Sequence, residues 1–240
     1  MIHFSKNFLL MTAAALTVFG FDACTDKSTE EDEYSAMVVT ALSNEQGGIY
    51  FLDDDSTTTY WPSISVSFPD SLIGHRCYVE YSYLTTGTGY TFNMNLTYAH
   101  FVHEAEAQIC NSEDEIAALG TEAIEPVWAW ISGHYLNVLF DYYGSSLREH
   151  RYALAYNAAA IEAGDSVLTV SLCHHLNGDD AKALLSDVAS FDLQPLDLAA
   201  RNIKQLSVKY PDFDGNECAV AVDVPTALSR QNVPPIKHRR

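Results

Sequence analysis

The side chains that could do chemistry are few and unevenly placed. His174 and His175 are followed by Asn177, Asp179 and Asp180, imidazoles and carboxylates of the kind that ligate metals or move protons. The run leading into them reads as a strand, on which adjacent side chains point to opposite faces. Both imidazoles therefore cannot reach one ion, and the cluster reads as a strand ending in a polar turn. His100 and His103 are three apart, which does not align them on a strand. His134 and His150 flank a hairpin, where a pairing would carry no chemistry. Asp53, Asp54 and Asp55 lack the D-x-D-x-D-G spacing and distant Glu of a calcium-binding EF-hand loop and read as a turn. There is no G-x-S-x-G elbow, and Gly144-Ser145-Ser146 reads as a turn. Two carboxylates suffice for glycoside hydrolysis, but among 32 acidic residues no pair stands out. The sequence assigns no catalytic residue, metal ligand, cofactor or ligand-binding residue, and a non-enzymatic protein is expected.

One residue has a defined chemical fate. Cys24 follows Lys6, an apolar run from Phe8 to Phe21, and the small residue Ala23. This is the order of a secretory signal, whose apolar run is too short for a comfortable membrane span. Cys24 sits where a bacterial lipoprotein is cleaved and acylated. Phe21 and Asp22 depart from the usual Leu and small residue of that site, so acylation is an expectation to be tested. Acyl chains on Cys24 would anchor the protein to a membrane, at ~0.8 kcal/mol per buried CH₂. Asp26, Glu30, Glu31, Asp32 and Glu33 follow, opposed only by Lys27. This acidic run reads as a solvated tether, and it matches the export signal of lipoproteins carried to the outer face of the outer membrane.

The formal net charge is −19. Phosphate backbones require clustered Lys and Arg, so nucleic acid is excluded as a partner. The only basic cluster is terminal: Lys237, His238, Arg239 and Arg240. Besides Cys24 there are Cys77, Cys110, Cys173 and Cys218. In an oxidising compartment these allow two bridges in three pairings. Cys77, Cys173 and Cys218 also lie in apolar runs, where small buried thiols fit equally well. No C-x-x-C spacing supports a redox or zinc site.

The elements that must position these groups are strands. Fourteen Tyr and 11 Phe among 240 residues favour them. Residues 34–108 carry about five, at Tyr34–Leu42, Ile49–Leu52, Thr57–Trp61, His75–Leu84 and Tyr90–Phe101. On the fourth, Cys77, Val79, Tyr81 and Tyr83 should face one way and Tyr78, Glu80 and Ser82 the other. On the fifth, Tyr90, Phe92, Met94, Leu96 and Tyr98 should share a face. Five strands in this length suggest an OB-like barrel. Residues 109–126 read as a helical connector, with Ser112 and Glu115 forming a capping box and Gly120 ending the helix. Residues 127–226 resume the strand pattern, with Tyr135 to Tyr142 alternating and further strands at Arg151–Tyr156, Ser166–His175, Val188–Leu193, Lys204–Tyr210 and Cys218–Val224. Such spacing suggests an antiparallel β-sandwich. Residues 179–185 suggest one helical turn, and Trp61, Trp128 and Trp130 suit core or interdomain positions. The chain thus divides into a signal peptide (1–23), an acidic tether (24–33), a barrel (34–108), a connector (109–126), a sandwich (127–226) and a basic tail (227–240).

Three stretches resemble the NigD-like family of bacterial lipoproteins. They are Gly47 to Thr58, reading G-G-x-Y-x-L-D-D-D-S-T-T, Trp130 to Tyr142, reading W-x-S-G-x-Y-L-N-V-x-F-x-Y, and Ser190 to Leu193. With the leader, the resemblance spans nearly the whole mature chain. It implies an OB-like domain followed by a β-sandwich, and a bacteriocin-associated or immunity role. The motifs are structural and imply no chemistry. Two functions are therefore expected: a non-enzymatic surface lipoprotein that binds or protects, with a protein ligand, or alternatively a surface glycan-binding or glycan-hydrolysing lipoprotein.

Overall fold

The computed structural model describes residues 35–226, apart from 90, 146–148, 161–164 and 181. The expected signal segment, Cys24, the acidic tether and the basic tail lie outside the described residues. The fold is mainly β, a barrel followed by a sandwich, as the strand pattern anticipated.

The barrel is built from β1 (Ser35–Ser43), β2 (Ile49–Leu52), β3 (Thr59–Pro62), β4 (Arg76–Thr86) and β5 (Thr91–Phe101). It closes in the order β1-β2-β3-β5-β4 and back to β1. Only β3 and β5 run parallel. Closure leaves no unpaired edge. Alternate side chains fill the interior, among them Val39, Phe51, Tyr60, Cys77, Val79 and Met94. The fifth strand departs from the expected alternation. A register shift opposite Glu80 and Tyr81 offsets β5 by one residue. Phe92, Met94 and Leu96 face the interior, but Ala99 and Phe101 follow them inward and Tyr98 turns out. One extra residue in a ladder flips everything beyond it to the other face.

The sandwich begins earlier than expected. β6 (His103–Glu106) and β7 (Gln108–Cys110) fall at the end of the anticipated barrel and the start of the connector, yet each pairs into a sandwich sheet. The remaining elements are α1 (Glu113–Ala117), β8 (Glu125–Ser132), β9 (Tyr135–Gly144), β10 (Arg151–Asn157), β11 (Val167–His175), β12 (Ala183–Asp192), β13 (Gln205–Pro211) and β14 (Glu217–Asp223). One sheet has the order β14-β13-β11-β10-β7, the other β6-β12-β9-β8. Neither is purely antiparallel, because β7–β10, β11–β13 and β6–β12 are parallel pairs. Residues 183–185, expected in a helical turn, extend β12 instead, held by pairing to β9 from Gly144 to Tyr142. Between the sheets lie Phe140, Leu154, Leu172, Phe191, Leu206 and Val208, each contributing about 1.5–3 kcal/mol by burial.

Barrel and sandwich share a second apolar layer. The outer side of β1 and β4 supplies Ala36, Val38 and Tyr78, which pack with Val102, Trp130, Leu139 and Val188. Tyr78, on the β4 face opposite Cys77 and Val79, is buried for this reason, and Glu80 beside it, also buried, accepts from its hydroxyl at 2.9 Å. Of the three tryptophans only Trp130 sits in this layer. Trp61 is partly exposed and stacks on Tyr50 at 4.8 Å. Trp128 is 44% exposed on the edge strand β8, beside a bulge between Pro126 and Trp128.

The connector helix forms where its cap predicts. Ser112 Oγ accepts from the Glu115 amide at 3.2 Å, and Glu115 Oε2 reaches back to the Asn111 amide at 2.8 Å. The helix covers Cys110, Ala153, Ala155 and Cys173 on the outer face of the five-stranded sheet. Gly120 follows at φ +138°, and a Cβ there would meet the His174 carbonyl oxygen at 2.2 Å. Cys77, Cys110, Cys173 and Cys218 are all free thiols. Burial pushes the Cys77 and Cys173 thiols up to about 12, so both stay protonated and unreactive. Among the described residues no helix is long and apolar enough to cross a membrane.

Candidate functional site

Polar side chains converge at two buried places. The first joins barrel to sandwich. Arg76, at the start of β4, is 1% exposed. Its Nη1 donates to Asp54 Oδ1 at 2.5 Å, and its Nη2 to Asp54 Oδ2 at 2.9 Å and to Asn137 Oδ1 at 3.1 Å. The guanidinium lies 3.9 Å from the Tyr135 ring centre. The Ser132 hydroxyl donates to Asp54, Asn137 Nδ2 donates to Ser132, and the Ser190 hydroxyl donates to Asn137. Two barrel segments are thereby bonded to β8, β9 and β12. The tight β8–β9 turn makes room for this: Gly133 has φ +56°, and a Cβ there would lie 3.1 Å from the Asp54 Cβ.

The aspartate triplet is consumed by this architecture. Asp53 accepts from the Tyr60 hydroxyl at 2.6 Å. Asp54 holds Arg76. Asp55 accepts from the amides of Thr57 and Thr58 and from the Thr58 hydroxyl, and the Thr58 bonds help hold its carboxyl below the usual range against the opposing effect of burial. The triplet is a turn whose three carboxylates each have a separate task.

The second place lies at one end of the sandwich. His174 points inward and His175 away, as strand alternation requires. His150, just ahead of β10, meets His174 with Nδ1 2.9 Å from Nε2. His150 Nε2 lies 3.0 Å from Asp179 Oδ2, and His174 Nδ1 lies 2.9 Å from the Ala123 carbonyl. Tyr142 and Tyr152 wall the two rings. Asp179 also accepts from the Ser145 amide at 2.6 Å and from the Ser145 hydroxyl. These Ser145 bonds, with His150 behind them, hold its carboxyl well below the usual range, so it is ionised and can only accept.

Hydrogen-bond counting fixes the charge. The carbonyl at one end and the carboxylate at the other both require a donor, and the ring-to-ring contact takes a third proton. Three N–H groups on two imidazoles make one positive charge. Burial lowers the His174 pKa. Every ring nitrogen is used, and both rings are buried. The arrangement can hold loops together and can titrate. It presents no nitrogen to a metal or substrate.

The other histidines scatter. His100 meets Asp187 at 3.3 Å, His103 the Tyr152 carbonyl at 2.9 Å, and His134 packs at a tilt against Tyr135. The pairs considered from spacing, His100 with His103 and His134 with His150, are not brought together. His174 and Asp179 are, through His150, a residue that sequence reasoning had placed elsewhere. Arg76 and Asn137 were also missed, although a polar Asn within the apolar run Leu136–Phe140 is the kind of signal that marks a buried network. Among the described residues no group of three or more His, Cys, Asp or Glu side chains is arranged to hold a metal ion.

What remains exposed is a sheet face. Trp128, Leu139 and Val188 lie side by side across β8, β9 and β12. Leu139 and Val188 are under the barrel. Further along, Tyr143 is 42% exposed with Phe213 edge-on at 4.9 Å, and Asp141 accepts from the Ser186 hydroxyl at 2.5 Å.

Residues 105–224, from within β6 to just past β14, match the NigD-like C-terminal beta sandwich domain. The chain belongs to the NigD-like family. Comparison with curated proteins gives no match. Solved structures share the fold of this NigD-like chain at low identity. A protein of unknown function from Bacteroides vulgatus is 22% identical, with a TM-score of 0.67 over 85% of this chain and 97% of its own. A candidate lipoprotein from Bacteroides fragilis is 13% identical, with a TM-score of 0.61 over 81% of this chain and 100% of its own. A NigD-like immunity protein from Bacteroides caccae is 18% identical, with a TM-score of 0.53 over 79% of this chain and 90% of its own.

Proposed function

We propose that this NigD-like chain is a non-enzymatic lipoprotein, anchored to the outer membrane through Cys24 and exposed at the cell surface, which works by binding a protein and confers immunity to a bacteriocin. The observation that carries the reading is that its best-equipped side chains are spent on one another. Arg76 and Asp54, and His150, His174 and Asp179, are buried in hydrogen-bond networks that serve architecture. An exposed aromatic and acidic sheet face is left for recognition. The similar proteins named as an immunity protein and a candidate lipoprotein support the role and the anchor.

The test is a deletion strain challenged with a panel of bacteriocins. Deletion is expected to sensitise cells to one of them. Wild-type protein restores resistance, and Cys24→Ala, which no longer incorporates labelled palmitate, does not. Equal palmitate labelling of wild type and Cys24→Ala would remove the anchor. Saturable binding on a glycan array, or turnover of a glycan, without any change in bacteriocin sensitivity would overturn the reading in favour of glycan handling.

A further inference from the structure

We infer that the uncovered half of the four-stranded sheet's outer face is the recognition surface, and that it takes a polypeptide presenting Lys or Arg around an apolar residue. This rests on the reading that the chain works by binding a protein.

The barrel covers only part of that face. Trp130, Leu139 and Val188 are sealed beneath it. Beyond them β9 continues through Asp141 to Tyr143, and β12 back through Ser186 to Leu184, its partners in register. Trp128 at 44% and Tyr143 at 42% exposure leave apolar area of this face in water, and Val127, the unpaired residue of the bulge beside Trp128, is 53% exposed. Trp and Tyr are the side chains that most often dominate binding energy when a partner covers them. β8 is also a sheet edge, so the bulge beside Trp128 lies where backbone groups are open to a partner.

Charge says what covers this face. On the uncovered half Glu125 and Asp141 lie opposite each other in register. The four strands of this sheet contain no Lys or Arg, and Lys182, just ahead of β12, is paired with Asp180. The other sheet does carry cations, Arg151 and Lys209. Asp141 is held on the exposed side by Ser186, level with the gap between Trp128 and Tyr143. A cationic partner gains twice here, from the carboxylates and from cation–π contact with exposed Trp and Tyr rings. A second copy of the chain would bring the same acidic face and be repelled.

The test titrates the full chain with a synthetic amphipathic peptide of Lys and Leu, and separately with its Glu and Leu counterpart, at physiological salt. Affinity is read by calorimetry and location by backbone amide shifts. The Lys/Leu peptide is expected to bind saturably, with the largest shifts at Trp128, Tyr143 and Leu184. Trp128→Ala should weaken it about tenfold, and Tyr143→Lys, a second variant at an exposed site, at least as much. Asp70→Asn, a remote exposed carboxylate, should leave affinity within about twofold. Equal binding of the Glu/Leu peptide, or shifts spread over all acidic surface with Asp70→Asn as damaging as Trp128→Ala, would overturn the inference. So would a dimer in sedimentation that shields Trp128. A Trp128→Ala chain that has lost peptide binding but still protects cells would sink this surface and leave the proposed function standing. Loss of protection by the wild type alone would sink the function, while the peptide map still decides the surface.

Discussion

The Arg76–Asp54 pair at the barrel–sandwich junction and the His150–Asp179 pair inside the sandwich follow one plan. Each sets a buried basic side chain on a buried carboxylate, with an amide or second imidazole as a further partner of the base and a serine hydroxyl as a further donor to the acid, while Arg76 Nε is left without a hydrogen-bond partner among the described residues. They differ in the cation. A guanidinium keeps its charge at any accessible pH. An imidazole does not. The junction is therefore held by a cation that pH does not discharge, whereas the second node contains His174, an imidazole whose pKa is lowered by burial.

Breaking the first pair should have the largest effect. Arg76→Ala leaves Asp54 buried with Ser132 as its remaining donor in the network, and loss of one partner of a buried pair costs about 3–5 kcal/mol. Urea unfolding would measure it. Exchanging both partners for apolar residues, Arg76→Met with Asp54→Leu, should recover most of the loss, because no bare charge then remains. A double variant as unstable as the sum of the single ones would show that the pair is not coupled.

The second pair should yield less, and with a pH signature. His174→Phe leaves the Ala123 carbonyl and a His150 nitrogen without partners, at about 1–3 kcal/mol. His174 has its pKa lowered by burial. The unfolded chain therefore takes up a proton that the folded chain refuses. Stability is full above the ordinary imidazole value of about 6.5 and falls as pH drops below it. Unfolding midpoints at descending pH should show this slope in the wild type and lose it in His174→Phe. Asp179, whose carboxyl is lowered by Ser145 and His150, contributes in a separate window, lost only as pH falls below about 4.

The contrast also explains what could be read in advance. Strands with clean alternation or long apolar runs, such as β2 and β9, were legible because periodicity reports burial directly. β6, reading HEAE, and the three-residue β7 were not, since short polar runs look like loop. The bulge in β5 left no mark either, because Tyr98 suits both faces. In the second node the cluster from His174 to Asp179 stood out by composition, and alternation correctly separated His174 from His175. Its third member, His150, is 24 residues from His174, beyond the reach of local pattern. Arg76 and Asn137 are 61 apart, so the junction could be found only once the fold brought their strands together.

A third contact sharpens the comparison because its sign is reversed. His100 on β5 meets Asp187 on β12 at 3.3 Å, tying barrel to sandwich a second time, but both side chains are partly exposed. The Asp187 hydrogen bond raises the His100 pKa, against the opposing effect of burial. Here the folded chain binds the proton more tightly than the unfolded one. The contribution is complete below about pH 6.5 and disappears as pH rises through the raised folded value. Exposure and salt limit it to about 0.2–1 kcal/mol. His100→Asn should therefore remove a small loss of stability on the alkaline side while leaving the acid slope of His174 untouched. Added salt should shrink the His100 effect and spare that of His174, because only the exposed pair is screened. Equal salt sensitivity of both slopes would mean that the His174 site is open to solvent.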